Sequence, residues 1–225
     1  MNLLAFETSS SIGSVALATG DGVLVRETAT PREQTERMLA LADELLGDAG
    51  LALTDLAGIA FGRGPGSFTG LRVSAAVVQG LGAVAAIPLF PVSSLLCLAQ
   101  RAHREHGCER GLVCVDAHMG EVYFAAFDLR DGAIGVADPE RLSAPGDVTI
   151  PPGTGWWAVG SGFAAHSEAL EVVTAAATGV LPALVPSAID LLPQAKRDLA
   201  AGRGTAAAAA LPVYLREHTA WRRSS

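Results

Sequence analysis

The segment Gly62-Arg63-Gly64-Pro65-Gly66-Ser67-Phe68-Thr69-Gly70-Leu71-Arg72 constrains this 225-residue chain more than any other stretch. Four glycines and a proline fall within nine residues, between an apolar strand-like run (Ile59-Ala60-Phe61) and a long apolar helical pattern. Glycine alone tolerates positive φ cheaply, while Pro65 fixes its own φ and biases Gly64 away from helix. Valine at Gly64 or Gly66 is therefore expected to damage folding or docking. Such a loop presents backbone N–H groups at a helix N-terminus, where the macrodipole favours anions. The segment lacks the Gly-Lys-Ser/Thr ending of a P-loop. Nor is it a G-x-G-x-x-G dinucleotide turn with an acidic residue about 20 positions on. Ser67 stands where a helix N-cap is expected.

The flanking chain alternates. Residues 2–6, 14–19 and 23–28 are β-rich, with Gly20-Asp21-Gly22 as a hairpin turn. Thr30-Pro31-Arg32-Glu33 combines a capping box with proline at the first helical position. It opens a helix in which Met38, Leu41, Ala42, Leu45 and Ala49 recur at helical spacing and Gly50 ends the run. Strand 58–61, the glycine loop, helix 69–86, strand 87–90 and helix 93–106 follow. A second strand set is predicted at 112–115, 122–127 and 133–136, with Asp131-Gly132 as a turn. Residues 138–155 hold four prolines and three glycines and read as a long loop. A strand at 157–159 and helices near 163–176 and 187–201 complete the pattern, and the alanine-rich 205–210 run fits either helix or linker. Periodicity by itself gives an α/β chain.

Composition narrows the function classes. Half the residues are apolar, 17% are charged, and mean hydropathy is positive, which points to a surface hidden by a partner. The net charge of −7 argues against autonomous nucleic-acid binding, which needs a basic footprint. Arg216, Arg222 and Arg223 form a short basic tail that reads as a solvated terminus. Cys97, Cys108 and Cys114 have no C-x-x-C spacing, so free thiols in a reducing compartment are expected. The N-terminus enters a β pattern without a basic region, and the apolar run from 71 to 92 is interrupted by Arg72, Gln79 and two prolines. The chain reads as cytoplasmic, with no signal peptide and no membrane span.

The chemistry on offer is sparse. His103 and His106 are three apart on a helix end, but no H-E-x-x-H occurs and no third ligand lies nearby, so no metal site is expected. No G-x-S-x-G supports a serine hydrolase. A phosphotransferase is the serious enzymatic alternative. Glu7-Thr8-Ser9-Ser10-Ser11 lies at a strand–turn–strand, Asp116 ends a second strand, and Gly160-Ser161-Gly162-Phe163 is weakly like a glycine-rich adenosine loop. Phosphoryl transfer needs Mg²⁺ carboxylates and cationic charge on the transferred group. Here the first carboxylate is a glutamate and the single lysine, Lys196, lies in neither loop. Helix 69–86 has a physical argument for protein binding instead. It carries one charge, Arg72, and one amide, Gln79, so it must be covered on nearly all sides, and Gly80, Gly82 and five or more alanines would let another helix approach closely.

The string G-R-G-P-G-S-F-T-G-L-R resembles the signature of the TsaB (YeaZ) family, non-catalytic partners of TsaD in making threonylcarbamoyladenosine on bacterial tRNA. Leu3 to Ser9, Arg32 to Leu46, Val92-Ser93-Ser94-Leu95, Gly120-Glu121-Val122-Tyr123 and Pro212-Val213-Tyr214-Leu215-Arg216 carry the likeness through nearly the whole chain. Three departures stand out: Glu7 where aspartate is usual, Gln34 where the family often has histidine, and His118-Met119 in place of a basic pair. The resemblance implies an actin-like ATPase (RNase H-like) fold of two lobes, residues 1–106 and a reduced 107–225. It implies pairing with TsaD, an associated TsaE-type ATPase, and a homodimer when alone. The shared surface is expected on helices 34–49 and 69–86, at Met38, Leu41, Ala42, Leu45, Arg72, Val73, Ala76, Val77 and Gly80. Glu7, Thr8, Ser9 and Asp116 would be a vestigial nucleotide site. No catalytic residue and no firm cofactor follow, though ATP or ADP is admitted at the partner interface.

Overall fold

Strands β1 (Leu3–Glu7), β2 (Ser14–Ala18) and β4 (Gly58–Gly62) are buried along their whole length. Their continuous apolar runs are what strands covered on both faces require. In the computed structural model, which describes residues 1–130 and 134–216, they form the middle of a five-stranded sheet. β1 pairs antiparallel with β2 (Leu3 opposite Ala18) and parallel with β4 (Leu3 opposite Gly58). With β3 (Val23–Glu27) and β5 (Leu89–Val92) at the edges, the order is β3-β2-β1-β4-β5. This is the expected RNase H-like arrangement.

The second sheet repeats that connectivity. β6 (Arg110–Asp116) is central, antiparallel to β7 (Val122–Asp128) and parallel to β9 (Trp156–Val159). β8 (Gly135–Ser143) and β10 (Gly179–Leu181) complete the order β10-β9-β6-β7-β8. The reduction of this lobe lies in its helices. In place of one helix at 163–176 stand α4 (Gly162–Ala165) and α5 (Glu171–Ala176), because His166 leaves helical backbone. The long loop expected at 138–155 is also corrected, since β8 continues to Ser143 and a 3₁₀ turn follows at Pro145–Asp147. Pro139 is tolerated because β8 is an edge strand. The predicted Asp131-Gly132 turn and Ala133 lie outside the described residues.

Local signals placed the long helices well. Thr30 caps α1 (Pro31–Asp48) by accepting the Glu33 N–H, and the Glu33 carboxylate reaches back to Ala29 N–H, one residue beyond the usual box. Ser67 and Ser93 cap α2 (Phe68–Ala85) and α3 (Ser94–His106), and Gly107 ends α3 with φ of 68°. α1 and α2 cover the outer face of the first sheet, where Leu4, Phe6, Leu17 and Phe61 meet Met38, Leu45 and Val78. The other face meets α3, whose Leu95, Cys97 and Ala102 also pack on Val113, Ala125 and Val159 of the second sheet. A 3₁₀ turn (Ala188–Leu191) and α6 (Leu192–Ala200) join this shared layer. The division at residue 107 therefore separates the sheets, yet the chain after 187 returns to the first lobe. The alanine run is neither a long helix nor a linker. Thr205 bridges Leu89, a 3₁₀ turn spans Ala207–Ala209, and Ala210 is buried against α2.

Candidate functional site

The end of β1 is closed rather than open. Glu7 is wholly buried, its Oε1 accepting the Ser9 N–H at 2.6 Å and its Oε2 the Ser94 hydroxyl at 3.2 Å. The carboxylate lies on Gly62, where a Cβ would come within 2.0 Å of Oε2. Burial pushes its pKa above the usual value, and the bonds from Ser9 and Ser94 offset only part of that. The longer glutamate thus turns into the protein interior. Thr8 Oγ1 donates to the Gly70 carbonyl at 2.7 Å, and the Ser9 carbonyl accepts the Ser67 N–H at 2.8 Å.

The glycine loop fits this turn closely. Cβ atoms at Gly66 and Gly70 would stand 2.5 Å from Ser9 O and 1.8 Å from Thr8 O. Gly64 has φ of 105°, as expected; Gly66 is required instead by close approach, its φ of 159° being nearly extended. Three loop amides are already used: Arg63 N–H on Val92 O, Ser67 N–H on Ser9 O and Gly70 N–H on Ser67 Oγ. Those three amides are spent within the chain, whereas Gly66, Phe68 and Thr69 line the cleft described below. Gln34, buried, donates to Ser10 O at 2.9 Å and pins the same turn, a structural role.

Across from it, Asp116 ends β6. Its Oδ1 accepts the His118 N–H at 3.0 Å and faces His166 Nε2 at 3.1 Å, while Oδ2 faces His118 Nδ1 at 3.1 Å. Partial burial raises its pKa, but these bonds outweigh it and hold the carboxyl below the ordinary value. Ser161 Oγ accepts the Asp116 N–H at 3.1 Å, and a Cβ at Gly160 would sit 2.6 Å from Cys114 O. The Gly160–Gly162 loop is thus a packing loop against β6. A cleft of about 780 Å³ separates Asp116 from Ser9, with Phe68, Tyr214 and Arg216 at its rim. These residues do not fit a magnesium nucleotide: one carboxylate is buried and the other is bonded to two imidazoles. Among the described residues, no three His, Cys, Asp or Glu side chains could hold a metal ion together. His103 Nδ1 faces Cys108 O at 3.1 Å, and all three cysteines are buried, with burial pushing Cys108 and Cys114 up to about 12.

The apolar helix pair divides differently from the sequence expectation. Met38, Leu41, Ala42 and Leu45 are buried in the protein's own core and offer nothing to a partner. Their helical stripe faces the sheet, and α1 turns Thr35 and half-exposed Leu39 outward. On α2, Val73 and Val77 are partly buried, and Phe68, Arg72, Ala76, Gly80 and Val84 form an exposed row at i, i+4 spacing. Val84 is 84% exposed and Phe68 47%. By length and composition α2 could cross a membrane, yet its inner residues Leu71, Ala75 and Val78 pack into the first lobe.

A family model described as "TsaD: tRNA N6-adenosine threonylcarbamoyltransferase" matches residues 17–212. The tRNA threonylcarbamoyladenosine biosynthesis protein TsaB of Escherichia coli is 36% identical, with 99% of this chain and 98% of that protein covered. This chain belongs to the TsaB (YeaZ) family. The Haemophilus influenzae TsaB protein is 34% identical over 99% of the chain and 97% of its own length. The structure of YeaZ from Pseudomonas aeruginosa matches with a TM-score of 0.88 at 39% identity, covering 95% of this chain and 99% of that one. The fold is therefore the actin-like fold of the TsaB family. A second P. aeruginosa structure, described as similar to peptidase YEAZ, also gives a TM-score of 0.88.

Two residues of this TsaB-family site escaped sequence reasoning. Gly70 makes the tightest approach in the loop, and its signal was a glycine in a helix's first turn. Arg216, expected in a solvated tail, instead donates to Ala117 O at 3.0 Å and His118 O at 3.1 Å and pairs with Glu121 at 2.7 Å. Arg222 and Arg223 lie outside the described residues.

Proposed function

We propose that this protein is a non-catalytic, activating subunit of the assembly that makes threonylcarbamoyladenosine on tRNA. It docks on a TsaD-type catalytic subunit through the outer face of α2, and alone it pairs with a second copy through the same face. The observation that carries this reading is the exposed row Phe68–Arg72–Ala76–Gly80–Val84 beside a strand end whose acid is buried. Gly80 has nothing within 4 Å of a Cβ position, so no contact in its own chain requires glycine there. A mid-helix glycine costs about 1 kcal/mol against alanine, and close approach by another helix offsets that cost. The buried Glu7 speaks against the phosphotransferase alternative. ATP or ADP at the interface is assigned to residues of the partner, as is tRNA contact, given the net charge of −7. A TsaE-type ATPase joins by family resemblance, and the setting is the cytoplasm.

The test is reconstitution. Threonylcarbamoyl transfer by a TsaD-type subunit should require this chain, while the chain alone transfers nothing and hydrolyses no ATP at a useful rate. ATP turnover above about 1 s⁻¹, in the range of working enzymes, that disappears on Glu7→Ala or Asp116→Ala would overturn the reading.

A further inference from the structure

Beyond α6 the chain runs as a strap across the first lobe and onto the second. Thr205 exchanges two backbone bonds with Leu89, at 2.8 and 2.9 Å, and the Ala210 carbonyl accepts the Gln79 amide at 2.9 Å. Val213 N–H donates to Arg63 O at 2.7 Å. Tyr214 then lies on the first turn of α2, its ring centroid 5.4 Å from that of Phe68 and its hydroxyl 3.2 Å from Arg72 Nε. Two residues later Arg216 reaches the second lobe and grips the β6–β7 turn through Ala117 O, His118 O and Glu121.

That turn is strained. His118 and Met119 are consecutive non-glycine residues with left-handed backbone, φ 60° and 58°. Residues forced into this region persist where the surroundings hold them, and they gather at clamps and switches. Met119 is 84% exposed, and its side chain is tied to the strap through its Sδ, which accepts from Arg216 Nη1 at 2.7 Å, not by core packing. Bonds hold the turn: Asp116 takes the His118 N–H, Ala117 N–H and Glu121 O close the turn, and Arg216 holds two of its carbonyls.

We propose that the strap couples the docking face to the interlobe cleft. Tyr214 sits against Phe68 and Arg72, the first two residues of the exposed row, while Arg216 sets the turn that walls the cleft. With the strap closed, the Tyr214 ring extends the docking face; with it released, the face shortens, the turn relaxes and the cleft widens. A second copy that docks better on the closed form shifts the balance toward it by its differential affinity. The coupling rests on α2 being the docking face.

Hydrogen exchange on the full-length chain tests the mechanical half, using Arg216→Ala and, from the second lobe, Glu121→Gln. Neither residue touches α2. Exchange should quicken at the Glu121 amide and also at the Leu71 and Val213 amides in the first lobe; acceleration confined to residues 117–121 overturns the coupling. Sedimentation of the chain with itself tests the other half. Arg216→Ala should raise the homodimer Kd by between about 5- and 150-fold, the range of ordinary allosteric coupling, and an unchanged Kd overturns the proposal. Ala76→Glu separates the two readings. If it abolishes association while Arg216→Ala does not weaken it, the coupling alone fails. If Ala76→Glu leaves association intact, the docking face itself is wrong and the coupling falls with it.

Discussion

Glu7 ends β1 wholly buried, and its protonation can be read as stability. Burial raises its folded pKa above the ordinary 4.5. Between those two values the folded chain holds a proton that the unfolded chain has released. Stability is therefore fully present below about the ordinary value and is lost as pH rises through the folded pKa. Glu7→Gln keeps the shape without the titration, and the Ser94 hydroxyl can turn to accept from the new amide. The variant should match the wild type in urea at pH 4.5 and exceed it at about pH 8; a difference that does not change with pH would count against a buried, titrating Glu7. The glycine loop makes a second residue-scale prediction. Gly70→Ala forces a methyl into Thr8 O and Gly66→Val forces a side chain into Ser9 O. Each should cost at least about 1–3 kcal/mol, as overpacking does. Gly64→Val should cost about 1–2 kcal/mol from φ before its contact with Val213 O is counted. Denaturant midpoints would rank them, and a silent Gly70→Ala would contradict the packed loop.

At the scale of elements, α2 carries the account. Gly80 and Gly82 make opposite predictions on one helix. A Cβ at Gly82 would press Leu89 Cδ2 at 2.9 Å, whereas the space at Gly80 is open. Gly80→Ala should stabilise the isolated chain by up to about 1 kcal/mol and weaken self-association, while Gly82→Ala should destabilise the fold. If Gly80→Ala leaves association unchanged, no helix approaches closely there. Helix starts were legible because caps are local: Thr30, Ser67 and Ser93 each bond the amide three residues on. The face of α1 was not. Periodicity finds the stripe Met38–Leu41–Leu45 but does not say whether the covering surface is the chain's own sheet or another protein. The strap was hidden for the opposite reason, since a run of alanines has no period and its partners, Leu89 and Gln79, are far away in sequence.

As a whole molecule the protein is two sheets of one topology with a helical layer between them. Two strand ends, those of Glu7 and Asp116, face a cleft that neither is free to serve. The sheet order of the first lobe could be anticipated from the family resemblance, since three strands followed by alternating helix and strand give by themselves only an α/β chain. The return of α6 to that lobe could not, because nothing local in 188–200 says which sheet it packs on. On the proposed reading the molecule works through its outside, above all the row from Phe68 to Val84. A homodimer and a complex with TsaD that use this row exclude one another. The decisive measurement is sedimentation of the wild type and of Ala76→Glu with and without a TsaD-type subunit. The wild-type homodimer should give way to a one-to-one heterodimer as TsaD is added. Ala76→Glu should lose both assemblies, because a carboxylate would be buried unpaired in either. An Ala76→Glu chain that loses the homodimer but binds TsaD with full affinity would contradict a shared docking face.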